Sequence, residues 1–516
     1  MAVVRLPPNR PAAPRSVFDV LGSSQASRAF WSSLGDPIAA DAATHGVRIS
    51  FSSSPPVSVA PACSTSRVPE KRLEISRQVD LLVEQGMVSR IPLDSVGFWG
   101  HVFLTPKPDG SWRLILDLSR LNQHVELPRF QLLQLKEVLP MIRPGDWMAS
   151  IDLEKAYWHV PMAPEARRFL QFRIDDCGYC FNVLPFGLSS APFWFTRILK
   201  PLVASLSADG IKLAVYLDDF FLCASRDLIE GHVARTVSVL SQAGFKISDS
   251  KSVLSPVRSL TYLGVVISSD PLSTAVPSNK QVEMASMLLP LISAPSVSRR
   301  QLEVVSGFIN YFVDHSLFLR PLHWQLVHLM NLLTSSTSRD LQVPVPASLR
   351  ALLERLHAFR LFPPVPFHDP LVWEEIMVDS SGSGWGAWWS GRALSGMWAP
   401  EWAACSINVL ETRAILLALT SWGPRLQDRG VMLHTDSITA ASVVRRRGSP
   451  RSLLLCSLAE DLDGICMRWR ILLRAAHVAG ERNVIADRLS RRRPQASEWS
   501  LDPGVFQGIC REFGVP

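Results

Sequence analysis

The stretch that decides the fold is Ile211-Lys212-Leu213-Ala214-Val215-Tyr216-Leu217-Asp218-Asp219-Phe220-Phe221-Leu222-Cys223. Two adjacent carboxylates, Asp218 and Asp219, lie between apolar runs of β-forming residues, which predicts a hairpin with the acids at its turn. Such a pair repels itself, and Mg²⁺ would offset the repulsion because it takes hard oxygen ligands. Taken alone, the pair leaves a plain polar turn open as the alternative.

A third acid, Asp152, ends an earlier apolar stretch in Ser150-Ile151-Asp152-Leu153-Glu154-Lys155-Ala156-Tyr157. Three carboxylates from two strands would form a two-metal centre for nucleotidyl transfer, which holds the attacking and leaving oxygens of an in-line displacement. The sequence therefore predicts two Mg²⁺ ions at this site, for which Mn²⁺ could substitute.

Length and composition describe a multidomain globular chain. Its 516 residues allow three or four domains, and 47% hydrophobic with 19% charged residues is typical of folded protein. The net charge of +7 favours a polyanionic partner. The cysteines are scattered and no apolar leader is visible, which favours free thiols in a reducing compartment. No stretch is typical of a transmembrane helix. We therefore expect a soluble intracellular protein, cytoplasmic or nuclear, with no membrane partner.

Compositional breaks divide the chain into segments. The N-terminal part is rich in Ser, Pro and Ala and predicts a loosely ordered leader, and a Pro-rich stretch later in the chain predicts an interdomain linker. We expect amphipathic helices at 281–289, ended by Pro290, and at 300–312. The Cys177-Gly178-Tyr179-Cys180 stretch favours a hairpin turn around Gly178 over half of a zinc site. The predicted boundaries are 1–65 (leader), 66–270 (first globular segment), 271–360 (helical segment), 361–371 (linker), 372–495 (α/β domain) and 496–516 (C-terminal tail).

Five motifs follow one another in an order that resembles the palm of a reverse transcriptase, particularly those of retrotransposons. They are the Asp152 segment, the Asp218-Asp219 hairpin and the segments at 112–122, 184–192 and 243–265. A chance match of all five in order is about one per cent or less. The resemblance covers roughly residues 66–330 and implies a right-hand polymerase, with fingers and palm over 66–270 and a helical thumb or connection over 271–360.

The resemblance implies a role for each matching residue. Asp152, Asp218 and Asp219 would hold two Mg²⁺ ions that activate the primer 3′-hydroxyl and neutralise charge on the pyrophosphate. Arg113, with Lys107 nearby, would bind the incoming triphosphate, and the alternative for Arg113 is an exposed strand charge.

Further matches concern the nucleotide and the template–primer. Tyr157 would exclude a ribose 2′-hydroxyl and so select deoxynucleotides, the alternative being an ordinary core tyrosine. Phe186 stands where retroviral enzymes carry glutamine, and Gly187 would let the template–primer approach the backbone closely. Lys251 or Lys246 could donate a proton to pyrophosphate, with a solvated lysine as the alternative for each.

A second set of acids recurs beyond the predicted linker, at Asp379, Glu411, Asp436 and Asp487. Acids at strand ends, faced by a helix carboxylate, make a cage for two hard cations. This pattern resembles the ribonuclease H fold over about 372–492. His477, ten positions before Asp487, resembles the histidine that aids turnover in retroviral-type ribonucleases H, although a lone histidine is more often structural.

Two arginine runs accompany this second set, at 445–447 and 491–493. Near a nuclease cleft they would contact phosphates, and otherwise they are solvated faces. The segments at 406–411 and 498–503 look most like DIRS-type proteins, in which a tyrosine recombinase usually follows. We expect a recombinase or an integrase, if one is needed, to act in trans.

Together these features predict an α/β and α+β multidomain fold: a right-hand polymerase, a helical connection and a ribonuclease H-like α/β domain. The predicted function is an RNA-directed DNA polymerase with ribonuclease H activity, using RNA template, DNA primer, deoxynucleoside triphosphates and RNA–DNA hybrid. The alternative is a non-catalytic or domesticated nucleic-acid-binding remnant, which would tend to lose some of the acids.

Overall fold

The computed structural model describes residues 20–60, 69–106, 110, 112–316, 318–334, 338–358, 364–367, 372–491 and 503–513. The chain divides into two compact units, the first ending near Leu263 and the second beginning near Leu272. Lys107 lies outside the described residues, as do the first nineteen residues, most of the predicted linker and much of the predicted C-terminal tail.

The first unit combines two sheets with flanking helices. One sheet has the strand order Val88–Ile91, Cys177–Phe181, Gln171–Ile174, Trp99–Pro106 and Trp112–Asp117. The other has the order Leu213–Tyr216, Asp219–Ala224, Trp147–Asp152 and Val253–Val257. The helices and 3₁₀ turns are Gln25–Ser33, Pro37–Thr44, Pro69–Glu84, Ser119–Asn122, Leu135–Val138, Leu139–Met141, Ala156–His159, Pro164–Arg167, Ala191–Ala208 and Arg226–Ala243.

One continuous apolar core holds this unit together, because the inner faces of both sheets and of the long helices are lined with aliphatic and aromatic side chains. The helix Arg226–Ala243 packs on the second sheet and ends at Gly244, whose φ of +100° is the left-handed cap that glycine adopts without strain. The strands Ser259–Tyr262 and Val265–Ser269 follow.

The prediction of a loosely ordered leader is wrong for residues 20–60, which we call the N-terminal strap. Asp36 caps the second of its two helices, and Trp31 is fully buried with its indole N–H donating to the Ala243 carbonyl at 3.0 Å. Arg197 binds Asp36 through two hydrogen bonds of 2.7 and 2.9 Å. Small residues such as Ala39 suit close packing of the strap against the core, so a Ser/Ala-rich composition does not here indicate disorder.

Two local predictions also fail. The helix predicted to end at Pro290 runs over Ser278–Ser293, because Pro290 is exposed and solvent can satisfy the carbonyl that its missing N–H leaves unpaired. The hairpin turn predicted around Gly178 lies at Asp175 and Asp176, since Ile174 pairs with Cys177. Asp175 takes the positive φ of 50°, which Asp tolerates better than most residues.

The second unit joins a helical segment to an α/β domain. The domain has a five-stranded sheet in the order Arg392–Met397, Gly384–Trp389, Trp373–Ser380, Gly430–Thr435 and Leu472–His477, the last three being mutually parallel. Its helices and 3₁₀ turns are Pro400–Ala403, Ile407–Trp422, Gly423–Arg425, Ile438–Arg446, Leu453–Trp469, Gly480–Arg482 and Val484–Ser490. The prediction of an α/β domain in this part of the chain is confirmed.

The helical segment comprises Ser278–Ser293, Arg299–Phe312, Leu319–Thr334 and Ala347–Ala358, with short strands at Leu272–Ala275, Ser296–Ser298, Gln342–Pro344 and Val365–Pro366. Ser298 and Gln301 form a capping box that starts the second helix. A further helix, Pro503–Phe513, lies in the predicted tail. In the described ranges, every helix is too short or too polar to cross a bilayer.

Candidate active sites

The hairpin of Leu213–Tyr216 and Asp219–Ala224 positions the first acids. Tyr216 pairs with Asp219, so Leu217 and Asp218 form a two-residue turn. Leu217 has a φ of +53°, which such tight hairpin turns require but which is strained for a residue with a side chain. We call this element the acidic hairpin.

Strand register brings Asp152 to the same place. Asp152 lies directly opposite Asp219 on the neighbouring antiparallel strand, and the amide of Leu153 donates to the Asp218 carbonyl at 3.0 Å. Asp152 Oδ1 is buried, has no hydrogen-bond partner among the residues that the structure describes, and lies 3.7 Å from the Nζ of Lys251. The three acids predicted from sequence are therefore neighbours, in an arrangement that leaves at least one oxygen available to a cation.

Burial makes negative charge unfavourable at this site. It raises the pKa of Asp152 and of Asp218, and it raises the pKa of Asp219 to about 7 with the help of the neighbouring Asp152 and Asp218 charges. Lys251 opposes the rise at all three carboxyls. A divalent cation would relieve the remaining repulsion and favour the ionised forms.

Three predicted substrate-binding residues form one cluster beside the acids. The ring of Phe186 lies 5.1 Å from the ring of Tyr157, and the guanidinium of Arg113 lies 5.3 Å from the Phe186 ring. Burial raises the pKa of Tyr157 to about 12, and the charge of Asp218 adds to the rise. Tyr157 is thus half-buried near the acidic hairpin, with a neutral hydroxyl at neutral pH.

The structure separates the two candidate lysines. Lys251 is the one beside Asp152, whereas the Nζ of Lys246 forms an ion pair with Glu154 at 2.9 Å. Of the two alternatives left open by the sequence, Lys251 is the one that lies beside the acids of this site.

The backbone conformation and the packing around position 187 require glycine even without a bound template–primer. The φ of Gly187 is +113°, and a Cβ atom built there would lie 2.0 Å from the carbonyl oxygen of Leu116. Asn122, which sequence reasoning did not assign, holds the same loop: it donates to the Gly187 carbonyl at 2.8 Å and accepts from the Ser189 amide at 2.9 Å. Its position inside the matched segment 112–122 was the available signal.

The second site brings three acids together more tightly. Asp379 near the end of its strand, Glu411 in the helix Ile407–Trp422 and Asp436 after the strand Gly430–Thr435 each offer an oxygen, and these atoms lie within 4.8 Å of one another. Among the described residues this is the set of three that meets that distance, and Asp152, Asp218 and Asp219 do not meet it. Such spacing suits direct coordination of one hard cation by several carboxylates.

The charges in this cluster are strongly disfavoured without a cation. Burial raises the pKa of Glu411 to about 9, with further contributions from the charges of Asp379 and Asp436. Burial also raises the pKa of Asp379 to about 6, against the hydrogen bond from Ser490. Glu411 Oε2 is buried and lacks a hydrogen-bond partner in the described part of the chain. An oxygen in this state is a ready ligand for a metal ion.

The two remaining predicted residues lie at the rim. Asp487 raises the pKa of Asp379 through its charge but forms its own ion pair with Arg491 at 2.7 Å. His477 is exposed and pairs in register with Thr435, the residue before Asp436. Neither belongs to the tight cluster of three.

Sequence reasoning missed the residues that orient Asp379. The hydroxyl of Ser490 donates to Asp379 Oδ2 at 2.6 Å, and the side-chain amide of Asn483 donates to the Val378 carbonyl at 3.0 Å. Asn483 and Ser490 lie on either side of Asp487 in the sequence. Polar residues close to this last acid were therefore the signal that could have identified them. Arg447, grouped with the phosphate-contacting run, instead binds the buried Asp463 at 2.8 Å. The phosphate role therefore does not hold for Arg447.

Residues 105–267 match the family described as reverse transcriptase (RNA-dependent DNA polymerase). The Pro-Pol polyprotein of Simian foamy virus type 1 is 25% identical over 262 residues, 49% of this chain and 21% of the relative. The Enzymatic polyprotein of Cestrum yellow leaf curling virus is 21% identical over 455 residues, 81% of this chain and 66% of the relative. The chain thus spans from about a fifth to about two thirds of these curated relatives.

Solved structures share the fold at low identity. A foamy viral protease-reverse transcriptase in complex with double-stranded DNA has a TM-score of 0.55 at 14% identity, covering 90% of this chain and 84% of that chain. Another, in complex with an RNA/DNA hybrid, has a TM-score of 0.51 at 15% identity, covering 94% and 64%. Residues 105–267 therefore form a reverse transcriptase domain, within a mixed α/β multidomain fold that resembles the foamy virus enzymes and includes a C-terminal domain.

Proposed function

We propose that the chain is an RNA-directed DNA polymerase that also cleaves the RNA strand of an RNA–DNA hybrid, each by two-metal-ion catalysis. The observation that carries the first activity is the register that sets Asp152 opposite Asp219, with Asp218 at the turn, inside the matched segment. The observation that carries the second is the carboxylate cluster of Asp379, Glu411 and Asp436.

The residues present fit Mg²⁺ at both sites. Each site has a buried carboxylate oxygen, on Asp152 and on Glu411, that lacks a hydrogen bond within the described ranges, and each has carboxyls whose pKa is raised. When bound, Mg²⁺ or Mn²⁺ would polarise the attacking oxygen and neutralise charge on the leaving group. Asp487 would complete the second site from its rim, and His477 would act there at product release.

The other residues of the first site bind and select the nucleotide. Arg113 attracts the triphosphate, with Lys107 as a further candidate, and the ring of Tyr157 excludes a ribose 2′-hydroxyl by contact. Lys251 would donate a proton to the departing pyrophosphate. The proposed substrates are an RNA template, a DNA primer, deoxynucleoside triphosphates and the RNA–DNA hybrid, in line with the double-stranded DNA and the RNA/DNA hybrid bound by solved relatives. We extend the proposal to a DIRS-type element.

Paired substitutions test the two sites separately. Asp218→Asn should abolish primer extension on an RNA template and leave hybrid cleavage largely intact, whereas Asp379→Asn should do the reverse. Asp227→Asn, at an exposed acid in the first turn of Arg226–Ala243, serves as the matched control and should retain both activities. Primer extension that survives in Asp218→Asn would overturn the two-metal assignment of the first site, and hybrid cleavage that survives in Asp379→Asn would show that the second site is misplaced.

A further inference from the structure

His159 is a fully buried histidine at the end of the turn Ala156–His159, which also carries Tyr157. The amide of Lys246 donates to its Nε2 at 3.0 Å, and its Nδ1 lies 3.2 Å from the Ala156 carbonyl oxygen. An amide can only donate and a carbonyl can only accept, so Nε2 carries the lone pair and Nδ1 the hydrogen. Burial lowers the pKa of His159 to about 4, so the imidazole is neutral at neutral pH and keeps this tautomer.

The segment that His159 binds is the one that holds Asp152. The amide of Ser248 donates to the Asp152 carbonyl at 2.8 Å, and the amide of Glu154 donates to the Lys246 carbonyl at 2.8 Å. Residues 152–159 therefore form a loop whose two ends are tied to residues 246–248, one end by backbone hydrogen bonds and the other by the imidazole. Tyr157 lies within this loop.

Ring contacts connect the same residues on the apolar side. The Tyr157 ring lies 5.4 Å from Phe195, Phe195 lies 6.0 Å from Phe245, and Phe245 lies 5.3 Å from the His159 ring. The N-terminal strap adds a restraint, since the Leu21 amide donates to the His159 carbonyl at 2.8 Å. Movement of the imidazole would consequently be transmitted to the Tyr157 ring.

We propose that His159 is a positioning residue whose imidazole fixes Tyr157 relative to Asp152 and thereby sets the discrimination against ribonucleotides. The inference rests on the proposed polymerase function and on the role of Tyr157 in it. A side chain that cannot both accept from Lys246 and donate to Ala156 leaves the buried Ala156 carbonyl and the partly buried Lys246 amide without this partner, and the loop must shift to satisfy them. Substitution of His159 would act on the sugar of the incoming nucleotide through the position of Tyr157, and not through a contact between His159 and the substrate.

The experiment measures single-nucleotide incorporation by the full chain with matched deoxyribo- and ribonucleotides. The quantity compared is the discrimination ratio, which is kcat/KM for the deoxyribonucleotide divided by kcat/KM for the ribonucleotide. His159→Phe, which keeps the ring but neither hydrogen bond, should lower this ratio roughly tenfold. His159→Gln, whose amide can accept from Lys246 and donate to Ala156, should restore most of it. His323→Phe is the matched control, because His323 is also buried and hydrogen-bonded, to Ser306 at 2.9 Å, but lies in the helical segment of the second unit. It should leave the ratio unchanged.

Two outcomes separate this inference from the proposed function. If Tyr157→Val lowers the ratio but His159→Phe does not, His159 has no positioning role. If Tyr157→Val leaves the ratio unchanged, the proposed role of Tyr157 fails and this inference fails with it. Should His159→Phe not fold, His159→Asn carries the test, since its amide is polar but too short to reach both partners. A ratio equal to that of the unsubstituted protein would then overturn the inference.

Discussion

Replacing Glu411 by Gln should stabilise the metal-free protein at alkaline pH while removing hybrid cleavage. Glu411 is only 6% exposed, and one of its carboxylate oxygens lacks a hydrogen bond among the described residues. Burial and the charges of Asp379 and Asp436 raise its pKa from the ordinary 4.5 to about 9. An amide at this position removes the titrating group and keeps the shape of the side chain.

The magnitude follows from proton linkage. A carboxyl whose pKa is higher in the folded than in the unfolded chain holds its proton more tightly when folded. The carboxyl therefore contributes its full stabilisation of the folded chain below the unfolded pKa. This contribution is lost as the pH rises from the unfolded pKa to the folded pKa. Each pH unit in that window lowers the free energy of unfolding by at most about 1.4 kcal/mol. Going from about pH 5.5 to about pH 8 should thus cost on the order of 3 kcal/mol, which Glu411→Gln avoids.

Chemical denaturation in a chelating buffer at both pH values provides the measurement, with hydrogen exchange of the helix Ile407–Trp422 reporting on this domain. Glu411→Gln should lose less stability than the unsubstituted protein as the pH rises, and Mg²⁺ should stabilise the unsubstituted protein more than the variant. Glu401→Gln, at an exposed glutamate in the same domain, is the matched control and should follow the unsubstituted protein.

Parallel pH profiles for Glu411→Gln and the unsubstituted protein would refute the reasoning, since they would mean that the buried carboxyl has no raised pKa. Equal stabilisation of both proteins by Mg²⁺ would show that Glu411 is not a ligand. The two results are independent, so the electrostatic and the metal-binding parts of the argument can fail separately.

Three further predictions concern the first unit. Gly187→Ala should abolish primer extension and lower the free energy of unfolding, because the added Cβ would collide with the Leu116 carbonyl. If primer extension is lost but the free energy of unfolding is unchanged, the Cβ instead collides with the template–primer. Trp31→Ala should lower the free energy of unfolding by about 3–5 kcal/mol in urea denaturation, and no change would show that the N-terminal strap is not part of the core. Affinity for template–primer should fall steeply between roughly 50 and 200 mM salt, as counterions are released from the nucleic acid. A flat dependence in a filter-binding titration would argue against a phosphate-dominated interface.

Much of the architecture could be predicted from local patterns. The apolar runs flanking Asp218 and Asp219 are sufficient for a hairpin because alternation and turn chemistry act over a few residues. The sequence also predicts that Glu411 lies on a helix, and the structure has it on the helix Ile407–Trp422. The N-terminal strap was missed because its Ser- and Ala-rich composition outweighed the helix cap at Asp36, which was a readable local signal.

The sequence by itself determined which residues could do the chemistry, since only carboxylates in a suitable local setting can hold hard cations. Only the tertiary structure decided that Asp152 faces Asp219, that Glu411 Oε2 is buried with no hydrogen-bond partner among the described residues, and that His159 joins two distant segments. These properties depend on distances between residues that are far apart along the chain. Desolvation and strand register arise when such segments pack, so no local pattern contains them.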